Sequence, residues 1–358
     1  MIEPYLQLEP VFARHETFHP RFGWLRKGVL AAADDPDVFG AEDAPTRLGV
    51  GKNMVRAIRY WGRAFDVLND AENRDRPRLA RTVPSSLGAT LFSGDGWDPY
   101  LEDPATLWLL HWRLLRPPCL APVWSLAFNK FAAVEFTEED VVSFVTDVAG
   151  RLWDGVAESS IRKDASCLLR MYARRPKARE SIEDELDCPF RELGLIEPTS
   201  DSGVYRFVLG PKSSLPDDLI LYAAVDFLAF SGATGRTVTV PRLAGSPGAP
   251  GRVFKLTESA LGDAVTRFAD RPGSPVRVSS PAGVLQVAIT EEPSTVAIDI
   301  LESFFAERTG TARRLGGGTE DRTLETIDER SAGMDDGLER LDAGNPRQQV
   351  MAAGRARR

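Results

Sequence analysis

Between Ala44 and Leu68 the chain reads APTRLGVGKNMVRAIRYWGRAFDVL, and this stretch narrows the fold more than any other. Ala44 to Leu48 suits one short helix, Gly49-Val50-Gly51 a turn, and a longer helix starts near Lys52. Along that second helix Met54, Ile58, Trp61, Phe65 and Leu68 recur at helical spacing, an apolar stripe that must face a core. Lys52, Arg56, Arg59 and Arg63 recur at the same spacing on the opposite side, and no acidic residue interrupts from Ala44 to Ala64. A short helix, a glycine turn and a second helix with a cationic outer face form the pattern of a helix-turn-helix. The segment RTVPSSLGATLFSG that follows has the turn residues and apolar alternation of a β wing. The expected fold is therefore α+β and predominantly helical. A winged-helix DNA-binding domain is expected in residues 1–96, a mixed helical domain with short β-hairpins and a second wing-like element in 97–305, and a disordered tail in 306–358.

The basic stripe has a plainer reading as a solvated helix face, the usual fate of a charge run. DNA binding gains from coincidence, because the one-signed stripe lies on the helix that the turn marks as the recognition helix. Asn53 at its start suits base-edge or phosphate bonding, and equally suits capping. The whole chain carries a formal charge of −8, so any nucleic-acid contact must come from such a local patch.

Near the N-terminus, RHETFHPRFGWLRKG contains His15-Glu16-x-x-His19, the spacing of a zinc peptidase helix. Pro20 follows His19 directly; it pushes His19 out of the α region and its ring clashes with the carbonyl of Glu16. No zinc pair and no structural zinc are expected. The segment reads instead as a junction into a helix over Arg21 to Ala33, with His15 and Glu16 beside its first turn. There the unpaired amides and Arg21 offer a place for a phosphate. In the alternative, Glu16 or Thr17 merely caps that helix while Phe18 and Trp24 are buried.

Cys119, Cys167 and Cys188 include no CxxC pair, which suits buried thiols in a reducing cytoplasm. The opening MIEPYLQLEP lacks the pattern of a signal peptide, and no apolar run approaches membrane-spanning length. Further on, Asp103 and Pro104 open an aromatic-rich helix that contains His111, expected as a satisfied core histidine. Thr137 caps another helix with acids in its first turn. SSIRKDASCLLRMYAR and PDDLILYAAVDFLAF read as helices, SGVYRFVLG and SPVRVSSPAGVLQVAI as hairpins, and GRVFKLTESALGDAVTRFAD as a strand passing into a helix.

The segments RHETFHPRFGWLRKG, RLGVGKNMVRAIRYW, DPYLEDPATLWLLHWRLL, SIEDELDCPFRELGLI and PGRVFKLTE, in this order over residues 11–305, resemble a bacterial family catalogued as a domain of unknown function. That family includes the SspB nickase component of Ssp-type DNA phosphorothioation and phage-defence systems. Its opening motif is His-Glu-Thr-Phe, then an Arg and a Trp-Leu, without a second histidine. The resemblance implies a DNA-nicking protein acting with a cysteine desulfurase, an ATPase and a sulfur-transferring enzyme. The alternative is a non-catalytic winged-helix adaptor that brings double-stranded DNA to the sulfur-transfer complex.

Nicking a phosphodiester calls for carboxylates holding a divalent metal, here Mg²⁺ or Mn²⁺, and a base. No PD-(D/E)xK or HNH pattern is present, so the candidates rest on chemistry. They are His15 with Glu16; the cluster Asp98, Glu102 and Asp103; and the cluster Glu183, Asp184, Glu185 and Asp187. Capping and surface solvation account equally for both acidic clusters. The DNA-binding candidates are Arg21, Lys52, Asn53, Arg56, Arg59 and Arg63.

Overall fold

In a computed structural model of the protein, which describes residues 3–72, 81–173, 188–232 and 235–310, three helices and a hairpin come first. These are α1 (Trp24–Asp34), α2 (Ala44–Leu48) and α3 (Lys52–Ala64), then β1 (Leu68–Ala71) and β2 (Arg81–Pro84). Helix α2 stops at Gly49, whose φ of 62° is a left-handed cap that glycine adopts without a Cβ clash. The two strands pair antiparallel from Leu68↔Pro84 to Ala71↔Arg81.

The expected wing is strand only in its first part. Ser85 accepts the Gly88 amide at 2.9 Å and opens a further helix, α4 (Ser86–Phe92). A serine cap satisfies an orphan amide of the first turn, and the buried Leu87, Leu91 and Phe92 are spaced for a helix, not for alternation. Helix α4 sits tight against the hairpin: a Cβ on Gly88 would lie 2.0 Å from the Val67 carbonyl oxygen.

The rest is built around α5 (Pro104–Leu115), which is buried on nearly every side, as befits a helix apolar all round. Asp103 caps it through the Ala105 amide at 2.9 Å, with Pro104 at its first position. It is followed by α6 (Pro122–Asn129), α7 (Glu138–Leu152), which packs on α8 (Glu158–Tyr172), and α9 (Asp217–Phe230), which meets α5. Thr137 and Asp140 form a reciprocal capping box at the start of α7. The chain continues through α10 (Val240–Gly245), α11 (Pro250–Val253), α12 (Glu258–Ala269) and α13 (Pro293–Thr309), the last packed along α9.

Two small antiparallel sheets complete the fold. One has the order β3-β5-β4, from β3 (Glu135–Phe136), β4 (Ile196–Pro198) and β5 (Tyr205–Phe207). The other has the order β6-β8-β7, from β6 (Thr237–Thr239), β7 (Val276–Ser279) and β8 (Gln286–Ile289). Both expected hairpins are present, but the strand expected in GRVFKLT is not: Pro250 opens the helical turn α11 there instead.

Every described residue lies in one compact unit. The core runs on across residue 96. Trp61 meets Trp124 edge-on at 5.5 Å, and Phe65 stacks on Phe190 at 4.9 Å. Among the described residues no helix is long and apolar enough to cross a membrane.

Buried polar groups in this core are mostly satisfied. His111 donates from Nε2 to the Val253 carbonyl at 2.9 Å, which leaves Nδ1 to accept the Tyr172 hydroxyl at 2.7 Å. Burial lowers its pKa to about 4, so the ring stays neutral. Lys255 is the exception in charge. It is 4% exposed, donates to the Phe128 carbonyl at 2.7 Å and lies 3.9 Å from the Phe207 ring centroid, with no carboxylate partner among the described residues. Burial pulls its pKa down to about 7.

Because the folded pKa lies below the unfolded one, the unfolded chain binds the extra proton above pH 7, and stability rises with pH there. Between pH 6 and 8.5 this group should add about 2 kcal/mol. Urea unfolding at both pH values, with and without Lys255→Met, checks it. The variant should lose that part of the rise; the same rise in both proteins excludes Lys255 as its source.

Candidate nucleic-acid interface

Helix α3 buries Val55, Ile58 and Trp61 and turns its cations outward. Lys52 and Asn53 are exposed, and the Arg56 side chain is 56% exposed. The stripe that looked one-signed in the sequence is largely neutralised in space. Arg59 bonds Asp70 at 2.7 Å and the Thr82 hydroxyl at 2.9 Å, tying α3 to both strands of the hairpin. Arg63 reaches the other oxygen of Asp70 at 3.0 Å, and Arg56 meets Glu16 at 3.3 Å. Lys52 makes no ion pair among the described residues. The cationic face is thus its N-terminal part, and the C-terminal part is an Arg–Asp latch on the hairpin. Asp70 was legible only as an acid beyond the helix end; its position opposite two arginines comes from the strand register.

The opening motif forms a strained turn rather than a helix. Glu16 and Thr17 have φ of 51° and 69°, left-handed values that non-glycine residues adopt only when their surroundings impose them. The constraints are visible. His15 is fully buried, with Nε2 2.6 Å from Asp164 of α8, and that carboxylate also accepts the Ala13 amide at 2.9 Å. Trp61 donates to the Phe18 carbonyl at 3.0 Å, and Arg170 to the Thr17 carbonyl at 2.7 Å.

The His15 ring stacks on Trp61 at 5.9 Å and meets Trp124 edge-on at 5.8 Å. Its Nδ1 has no partner, so the ring's one polar contact is that of Nε2 with Asp164. Burial raises the pKa of the Asp164 carboxyl against the opposing pull of His15.

The motif is therefore a staple between α3 and α8. Neither Glu16 nor Thr17 caps α1. That helix starts at Trp24, later than expected, behind Gly23 in the left-handed region and without a side-chain cap. The expected phosphate niche beside Pro20 thus has no helix N-terminus to form it, and Arg21 lies over the Trp24 ring at 5.8 Å.

A family model described as "Protein of unknown function (DUF4007)" matches residues 12–305. The chain belongs to this family. No curated protein matches it. Solved structures do: an SspB crystal structure is 37% identical, with TM-score 0.80, covering 87% of this chain and 93% of its own. A magnesium ion-bound SspB crystal structure is 36% identical, with TM-score 0.81, covering 87% and 92% respectively. The resemblance carried by the five motifs is thus present in three dimensions as well.

The magnesium-bound relative raises the question of whether this DUF4007 chain presents a metal site. The expected carboxylates have other work. Asp98, 6% exposed, accepts the amides of Glu102 at 2.8 Å and Asp103 at 3.1 Å with its two oxygens. Asp103 caps α5 with one oxygen and takes Arg308 of α13 on the other at 2.5 Å. Glu16 faces Arg56. His15 is not brought together with the Asp98 cluster in any metal-ligating group, and among the described residues no three His, Cys, Asp or Glu side chains converge as metal ligands. Glu183, Asp184, Glu185 and Asp187 lie outside the described residues. Among the described residues, then, the carboxylates form no preassembled divalent-cation centre.

Proposed function

We propose that this chain is the DNA-engaging component of an Ssp-type phosphorothioation system, holding double-stranded DNA on α3. The observation that carries the system-level reading is the match to SspB over 93% of that chain at 37% identity. The local support is the order α1, α2, α3, hairpin, which is that of a winged helix, with Lys52, Asn53 and Arg56 outermost on the helix that enters the groove. Arg59 and Arg63 contribute by holding the hairpin beside it. The partners on this reading are a cysteine desulfurase, an ATPase and a sulfur-transferring enzyme, and the activity is nicking of one strand.

A second reading, the non-catalytic adaptor, is favoured by one specific observation: Glu16, Asp98 and Asp103 are all engaged within the protein. Incubation of supercoiled plasmid with the protein, with Mg²⁺, with Mn²⁺ and with EDTA, separates the two. Metal-dependent open circles support nicking; intact supercoils together with measurable duplex binding support the adaptor.

Duplex binding has its own test. Lys52→Ala with Arg56→Ala should lower affinity on the order of tenfold to hundredfold at 0.1 M salt, and flatten the log–log salt slope by about 0.9 per lost phosphate contact. Fluorescence anisotropy over a salt series measures both. An unchanged slope in the folded double variant returns α3 to a solvated face.

A further inference from the structure

Beside α1 and α2 lies a groove of 840 Å³, whose lining includes Phe22, Arg26, Lys27, Leu30, Gly49 and Tyr100. Three of these are large apolar side chains left open: Phe22 at 41%, Leu30 at 37% and Tyr100 at 66%. Isolated exposed apolar residues mean little, but several sharing one groove mark a binding surface.

The charge in the groove is as informative. The Arg26 guanidinium lies 4.8 Å from the Tyr100 ring centroid and makes no ion pair among the described residues. Lys27 is directed to the Leu48 carbonyl at 2.8 Å, and Arg47, also on the wall, is held by Asp35 at 2.6 Å. Arg26 is therefore the cation left to a ligand, and it lies over one face of Tyr100, the most exposed of the three apolar side chains.

We infer that this groove binds single-stranded DNA, with bases stacked on Tyr100 and Phe22 and the backbone phosphate paired with Arg26. Aromatic faces receive bases of any identity, while a guanidinium supplies both phosphate pairing and cation–π contact. The wall carries Arg26, Lys27 and Arg47 against one acid, Asp34, and this cationic excess favours a polyanion. Position supports the same occupant: Gly49 of the groove opens the turn into Lys52 and Asn53, so the groove adjoins the start of α3. This inference rests on the DNA reading above and adds a strand-specific site to it.

The test measures anisotropy of fluorescein-labelled dT12, of the same backbone with abasic sites, and of a blunt duplex, on the full chain and its variants. The wild type should bind dT12 more tightly than the abasic strand. Tyr100→Ala and Arg26→Ala should each weaken dT12 about fivefold or more and leave the duplex unaffected, while Tyr100→Phe keeps dT12 binding. Duplex binding without preference for dT12 over the abasic strand, or dT12 affinity unmoved in both alanine variants, overturns the groove and spares the duplex reading. Failure of every oligonucleotide to bind the wild type overturns both. Equal loss of dT12 and duplex in Tyr100→Ala also refutes a strand-specific site.

Discussion

Replacing His15 by alanine is expected to lower folding stability by roughly 3–5 kcal/mol, because it leaves a buried carboxyl with only the Ala13 amide as partner. Asp164 is 1% exposed and its Oδ1 takes both His15 and the Ala13 amide. The loss also opens a hole among Trp61, Tyr60 and Trp124, which all touch the imidazole ring. Asp164→Asn should be milder, about 0.5–1.5 kcal/mol, since an amide oxygen still accepts both donors. Glu16→Gln removes a half-exposed ion pair with Arg56 and should cost about 0–1 kcal/mol.

Urea denaturation gives these numbers, and DNA affinity per folded molecule gives their meaning. Stability lost with affinity intact makes the opening motif a staple. Affinity lost at unchanged stability in His15→Ala would falsify that view and return the histidine to the site.

Asp226 should show the second large effect. Its Oδ2 takes the Trp112 indole at 2.8 Å and the Arg116 Nε at 2.7 Å, while Oδ1 takes the Arg116 Nη2 at 3.0 Å. The carboxylate is 7% exposed and Arg116 is 28% exposed, so the pair is nearly dry and clamps α5 to α9. Asp226→Ala strands a guanidinium and an indole N–H together, and about 3–5 kcal/mol of stability should go with them. Removing both charges by adding Arg116→Met should restore part of it, which a double-mutant cycle measures directly. If the single and double variants are equally unstable, packing rather than the stranded charge carries the loss.

By contrast Arg162 bonds Glu158 at 2.8 Å and also pairs with Glu139, yet all three side chains are well exposed. Breaking either contact should change stability by less than about 1 kcal/mol. Burial, not the number of ion pairs, decides which effect wins.

Local signals account for what the sequence by itself determined. The limits of α2, the start of α3, the Asp103-Pro104 opening of α5 and the Thr137 box on α7 depend on contacts within a few residues, so the sequence contains every partner. His111 was legible as a core residue because an apolar helix around a lone histidine leaves it little else. The left-handed turn at Glu16 and Thr17 was legible only in part: Pro20 forbids a helix through His19, but no local rule selects φ of 51° and 69°.

Tertiary structure alone decided the charges. The basic stripe became a latch because strand register carries Asp70 to Arg59 and Arg63. His15 found Asp164 at a separation of 149 residues, and Asp103 found Arg308 at 205. A charge carries no address along the chain; its partner is whichever opposite charge the packed helices bring within hydrogen-bond reach, and dry surroundings set the strength of that pairing. For that reason the helices could be read from the sequence, while which cations of α3 stay unpaired required the fold.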